Sequence, residues 1–291
     1  DWFVNSPITS KIFPVGLFSM DNPINFTITS SWGIKINGTR NPAYEPHLIW
    51  LSLPVNSSEG QGEVTVRLNN QLNETHAISW KRREFSSSPV EIQLSHHWFS
   101  YWTGSTLLKA RLSENGTINI QHEILQLSHE ENRKRLPYNK SFSFQNELSS
   151  YEWLSLMDYL LKHDSINWES WTYPPVNTQH PIVAGCDGGG FETSVKIIWN
   201  DTTDVTYNEM VDNDRCTGKR IYISSVTANF NDILLNLINK KISSYFQSRT
   251  VPSSSVITTD TSLFIFAVSS LAALSIGMTL AYLYEKIQKI D

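Results

Sequence analysis

A β-rich or α+β ectodomain followed by one C-terminal transmembrane helix is the fold class this sequence predicts. Three observations predict it. Short segments with period-two alternation of apolar and polar residues fill the first half of the chain. Helical spacing first appears near residue 148. Leu263–Tyr284 then runs for 22 residues without a charge.

Composition fits a folded core. The chain has 291 residues, 40% of them hydrophobic and 18% charged, which excludes wholesale disorder. A net charge of −5 argues against non-specific nucleic-acid binding, which needs clustered Lys and Arg. Two cysteines cannot staple a disulfide-dense miniprotein. No period of 20–50 residues recurs, so a repeat architecture is not expected.

Residues 1–147 read as a β-sandwich-like domain, with a jelly roll as one form of it. Val64, Val66 and Leu68 alternate with Glu63, Thr65 and Arg67. Val90, Ile92 and Leu94 alternate with Glu91 and Gln93, and Leu108, Ala110 and Leu112 with Lys109 and Arg111. Turn formers at 54–62, 86–89 and 114–116 punctuate these strands, as in antiparallel sandwiches. Residues 148–247 read as an α+β domain. Ser149 and Glu152 have the spacing of a capping box, and Trp153, Met157, Leu160 and Leu161 follow at helical intervals to about Lys162. Phe191–Trp199 and Arg220–Val226 read as strands. A second helix is expected from Asn231 to about Gln247, with Leu234, Leu237, Ile238, Ile242, Tyr245 and Phe246 as its apolar stripe. Residues 248–261, rich in Ser and Thr, read as a linker.

Residues 262–284 are expected to cross a membrane. At about 1.5 Å per residue the uncharged run spans about 33 Å, against a hydrocarbon core of about 30 Å. Lys286 and Lys289 follow it, so residues 285–291 are expected in the cytosol and the rest in a lumen or outside. A glycolipid anchor at Ser253–Ser255 is the rival reading, but the charged end EKIQKID suits a cytosolic stop better. A start at Asp1 fits removal of a signal peptide. Seven glycosylation sequons agree with the secretory pathway: Asn25, Asn37, Asn56, Asn73, Asn115, Asn139 and Asn200. Whether that means the ER, the lysosome or the plasma membrane is not encoded. An oxidising lumen would pair Cys186 with Cys216.

Candidate chemistry is sparse. Residues 185–190, Gly-Cys-Asp-Gly-Gly-Gly, resemble a glycine-rich stretch of papain-like proteases, but the context of that family's nucleophile is absent. His96 and His97, on a strand, point to opposite faces and cannot chelate together. His122 lies on the Ile118, Ile120, Ile124 face and reads as a hydrogen-bonded core histidine. Neither a catalytic set, a metal-ligand set nor a cofactor motif emerges. Glycoside-hydrolase carboxylates are set by spatial separation, so Asp158, Glu169 and Asp187 are guesses. Trp168, Trp171 and Tyr173 form an aromatic cluster suited to a glycan or protein ligand.

Within the span, Ser269, Ala273, Gly277 and Ala281 recur every fourth residue, a small-residue stripe on which another helix can pack closely. These features together point to a single-pass accessory subunit or maturation factor of a membrane complex, embedded in lipid and partnered by another, multi-pass membrane protein. The alternatives are a recognition or adhesion protein and a membrane-tethered hydrolase.

Overall fold

The computed structural model describes residues 7–19, 22–54, 56–69, 72–84, 87–100, 104–126, 138–173, 189–212 and 220–249. Cys186, Cys216, the expected span at 262–284 and its small-residue stripe lie outside them. Two units are delimited, Asp1–Ser244 and Tyr245–Asp291. In the second, Tyr245 and Phe246 meet edge-on at 5.4 Å in the last turns of a helix. No described helix is long and apolar enough to cross a membrane.

The first unit is built on large antiparallel sheets. Strands β1 (Ile12–Ser19) and β4 (Ala43–Ser52) form one pair. Strands β2 (Ile24–Ser30), β3 (Lys35–Arg40), β5 (Glu59–Leu68) and β6 (Leu72–Lys81) form a four-stranded sheet in the order β3-β2-β5-β6. The alternation read from the sequence sorts their faces. Phe13, Val15 and Leu51 from the pair meet Phe26, Ile28, Val64 and Trp80 from the sheet in one buried cluster. Gly62 makes this closure possible, because a Cβ there would lie 2.8 Å from the Trp32 ring.

Eight strands make the second sheet. A meander of β7 (Pro89–Ser100), β8 (Gly104–Ser113), β9 (Thr117–Gln126) and β10 (Tyr138–Glu147) forms one half. The other half comprises β11 (Trp171–Tyr173), β12 (Gly189–Trp199), β13 (Asp204–Asp212) and β14 (Arg220–Tyr222). The order is β10-β9-β8-β7-β12-β13-β14-β11, so β12 sits directly beside β7. The sheet therefore runs straight through the domain boundary expected at 147/148.

Two helices cover its inner face, α1 (Ser150–Lys162) and α2 (Ser225–Arg249). Their buried stripes are Trp153, Leu156, Met157 and Leu160 on α1, and Phe230, Leu234, Ile238 and Ile242 on α2. The sheet buries Ile92, Leu112, Ile118, Val195, Ile197 and Tyr207, and the Tyr207 hydroxyl reaches Asn231 of α2 at 2.9 Å. Helix α2 begins six residues earlier than expected. Ser224 caps it, its hydroxyl accepting from the Thr227 amide at 3.2 Å, which ends the expected strand Arg220–Val226 at Tyr222. Its last turn also takes in residues 248 and 249, expected as linker.

A polar seam joins the two halves. The Glu169 carboxylate accepts from the Thr9 amide at 2.8 Å, the Thr9 hydroxyl at 2.6 Å and the Ser10 amide at 3.3 Å. Asn167, 1% exposed, accepts from the Arg83 amide at 2.7 Å and donates to its carbonyl at 2.9 Å.

Candidate functional site

Helix α1 is fixed at its N-terminal end. The Ser149 hydroxyl accepts from the Glu152 amide at 3.2 Å while the Glu152 carboxylate accepts from the Ser149 amide at 2.8 Å. That carboxylate also meets the Lys241 ammonium of α2 at 2.8 Å. Partial burial alone would raise the Glu152 carboxyl, but hydrogen bonds from Lys241 and Ser149 outweigh it and hold the acid below its usual range. With its inner stripe committed to the core, the helix turns Tyr151, Leu154 and Leu161 outward, 81%, 64% and 45% exposed. Steps of three and seven residues keep these on one side of the helix. Ile233 of α2 is exposed as well, at 42%. Neither helix carries a sequon.

The opposite chemistry covers the four-stranded sheet. Asn25 and Asn37 are exposed on its outer face, and the pairings Asn37–Thr27, Thr27–Arg67 and Arg67–Asn73 put position 73 on that face too. Asn56, Asn115 and Asn200 are exposed in turns. The side chains of Asn73 and Asn139 lie outside the described residues.

Beneath α2, the inner face carries polar groups that the sequence did not reveal. The Tyr207 hydroxyl donates to the Asn231 carbonyl oxygen at 2.9 Å, and the Asn231 amide donates to Glu209 at 2.9 Å. Burial raises both Tyr207 and Glu209, the Asn231 hydrogen bond offsetting part of the Glu209 shift. One strand away, Thr193 pairs with His96 in register and their side chains meet at 2.9 Å. Burial, and secondarily the neighbouring His97, push the His96 imidazole down to about 4. These groups are satisfied by one another, as a packed interior requires. His122 is in the sheet's inner layer as expected, edge-on to Phe142 at 5.0 Å, and its Nδ1 has no hydrogen-bond partner among the described residues.

Trp168 is a core residue. It is 7% exposed, its indole donates to the His163 carbonyl at 3.0 Å, and Tyr207 and Phe230 meet its ring at 5.5 and 5.4 Å. It offers no free face to a ligand. Trp171 is half-buried against the cluster of the smaller sheets, and the Tyr173 side chain lies outside the described residues. Glu169 serves the seam, Asp158 is exposed on α1, and Asp187 lies outside the described residues. Among the described residues no group of three His, Cys, Asp or Glu side chains is placed to hold a metal.

Comparison with protein-family models, with curated proteins and with solved structures gives no match.

Proposed function

We propose that this chain is a type I single-pass membrane glycoprotein of the secretory pathway, acting as a non-catalytic accessory subunit or maturation factor of a larger membrane protein complex. Its architecture on this reading is a β-sandwich-like N-terminal part, an α+β membrane-proximal part, a disulfide between Cys186 and Cys216, and a C-terminal transmembrane helix. Gly190 and Asp212 are register partners on β12 and β13, and each cysteine lies four residues beyond one of them, which supports the disulfide.

The observation that carries the reading is the outward face of α1. Tyr151, Leu154 and Leu161 make an exposed apolar stripe on an element free of sequons, while three sequon positions share the outer face of the four-stranded sheet. Glycans keep a surface wet, and an unglycosylated apolar stripe marks where a protein partner sits. The apolar stripe of α2 read from the sequence does not supply this face. Leu234, Ile238 and Ile242 are 0%, 0% and 8% exposed, consumed by the chain's own core. The partner is a membrane protein with lumenal surface beside α1, its transmembrane helix packed on Ser269, Ala273, Gly277 and Ala281.

A photo-crosslinking amino acid at Leu154 tests this in cells, with the same group at exposed Lys35 of β3 as the control. One multi-pass membrane protein should be captured in near-stoichiometric yield from Leu154 and not from Lys35. Changing Ala273 and Gly277 to Leu should lower that yield at least fivefold, and depleting the captured protein should lower the steady level of this chain. Equal capture from both positions, or a yield indifferent to the Ala273 and Gly277 changes, overturns the reading.

A further inference from the structure

We propose that the outer face of the eight-stranded sheet is a binding site for an acidic oligosaccharide, one bearing carboxylate or sulfate groups. The inference goes beyond the docking reading and does not depend on it.

The sheet register places one row of outward residues across six strands: Ser143, Gln121, Lys109, Ser95, Ser194 and Asn208. The adjacent row reads Gln145, Asn119, Arg111, Gln93, Lys196 and Thr206. Both rows, apart from Asn208 at one end, line a shallow hollow of about 820 Å³. Six strands at about 4.8 Å spacing make it on the order of 24 Å wide, long enough for several sugar rings.

An antiparallel sheet exposes one face to water, so polarity alone is unremarkable there. The kind of polarity is what matters. In a chain with 28 acidic and 23 basic residues, neither row contains a carboxylate. Amides and hydroxyls dominate, and Asn119 and Asn208 sit in strands although asparagine is a poor strand former. Gln93 and Gln121 donate to Glu91 at 2.6 Å and Glu123 at 2.7 Å, which turns their amide oxygens to a polyhydroxylated ligand as acceptors. The serine and threonine hydroxyls both donate and accept.

Charge selects among such ligands. Arg111 and Lys196 are paired with Glu91 at 2.6 Å and Asp204 at 2.5 Å, both in the next row out. Lys109, exposed at the centre of the face, has no ion pair among the described residues. A central unpaired cation bounded by amides fits an isolated anionic group. Carboxylates on both margins, Glu91 and Asp204 on one side and Glu123 and Glu192 on the other, oppose a continuous polyanion such as nucleic acid. A protein hot spot would need a buried aromatic or aliphatic anchor, and the two rows hold none. On the same face, His97 and Phe99 lie 5.5 Å apart beyond the hollow and give a sugar ring a surface to stack on.

The test is calorimetric titration of the full-length protein in detergent with three probes: a sialylated trisaccharide, a monosulfated N-acetyllactosamine tetrasaccharide and the same tetrasaccharide without sulfate. One acidic probe should bind at least tenfold more tightly than the neutral one, less tightly as salt rises. Which acidic probe binds separates a carboxylate from a sulfate ligand. Lys109→Glu should weaken that binding at least tenfold, and Ser95→Trp, which fills the hollow, should abolish it. Lys109→Gln, expected to melt like the wild type, should give an intermediate loss and keeps the test independent of charge-reversal effects on folding. Equal affinity for acidic and neutral probes, no binding of either acidic probe, or undiminished binding by the Lys109 variants overturns the proposal.

Discussion

Acidification should loosen this fold, and His96 makes the largest contribution among histidines that burial lowers, His47 and His122 being the others. His96 lies on the inner face of β7 against Thr193 and the Phe191 ring, its imidazole pushed from 6.5 down to about 4 by burial and, less, by His97. A base whose folded-state pKa lies below its unfolded one favours the neutral form in the native state. Its contribution to stability is therefore complete above pH 6.5 and is lost as the pH falls toward 4. The gap is worth about 3 kcal/mol at its limit, and about 2 kcal/mol is gone by pH 5. For a domain of this size that lowers Tm by roughly 4–8 °C. Glu209, in register beyond Thr193, acts in the opposite sense. Its carboxyl is raised by burial, so the strain of ionising it above its folded pKa is relieved on acidification. Thermal melts followed by circular dichroism between pH 7.5 and 5 should thus show a smaller acid loss in His96→Gln than in the wild type. Glu209→Gln, lacking the compensation, should show a larger one. If His96→Gln loses as much as the wild type between those pH values, the attribution to this imidazole is refuted.

Two further substitutions test the packing. Trp168→Ala should cost about 3–5 kcal/mol and lower Tm by roughly 6–20 °C, because it empties the space between Tyr207 and Phe230; an unchanged melting temperature would return Trp168 to the list of ligand residues. Glu169→Ala strips the acceptor from the Thr9 amide, the Thr9 hydroxyl and the Ser10 amide, and should destabilise by about 2–3 kcal/mol. Limited proteolysis should then cut first near residues 7–11, and protection equal to the wild type would count against the seam.

Local signals were legible and distant ones were not. The capping box at Ser149 and Glu152 formed as its spacing implied, and the alternation at 63–68, 90–94 and 108–112 became β5, β7 and β8. Strand β13 escaped because its inward positions read Val205, Tyr207, Glu209, Val211, and a carboxylate breaks an apolar alternation. The start of α2 was hidden by Ile221, Ile223 and Val226, a β-branched run that outweighed the capping serine between them. The continuity of the sheet across 147/148 was hidden for a deeper reason. The pairing of β7 with β12 joins residues about a hundred positions apart and leaves no mark on either strand alone. The candidate binding rows were unreadable on the same ground. Each strand shows only a wet face, and only cross-strand register reveals that six such faces assemble without a carboxylate.

That same pairing sets a schedule for biosynthesis. Residues 8–81 contain both partners of every strand pair in the smaller sheets, so they can close as soon as they emerge. β7 must wait for β12, which at about 5–20 residues per second arrives roughly 5–20 s later. Throughout that interval the meander presents an open edge and an uncovered layer containing Ile92, Leu94 and Leu112, the condition in which nascent strands pair with the wrong neighbour. Chaperones that bind nascent chains would find their moment of greatest effect there.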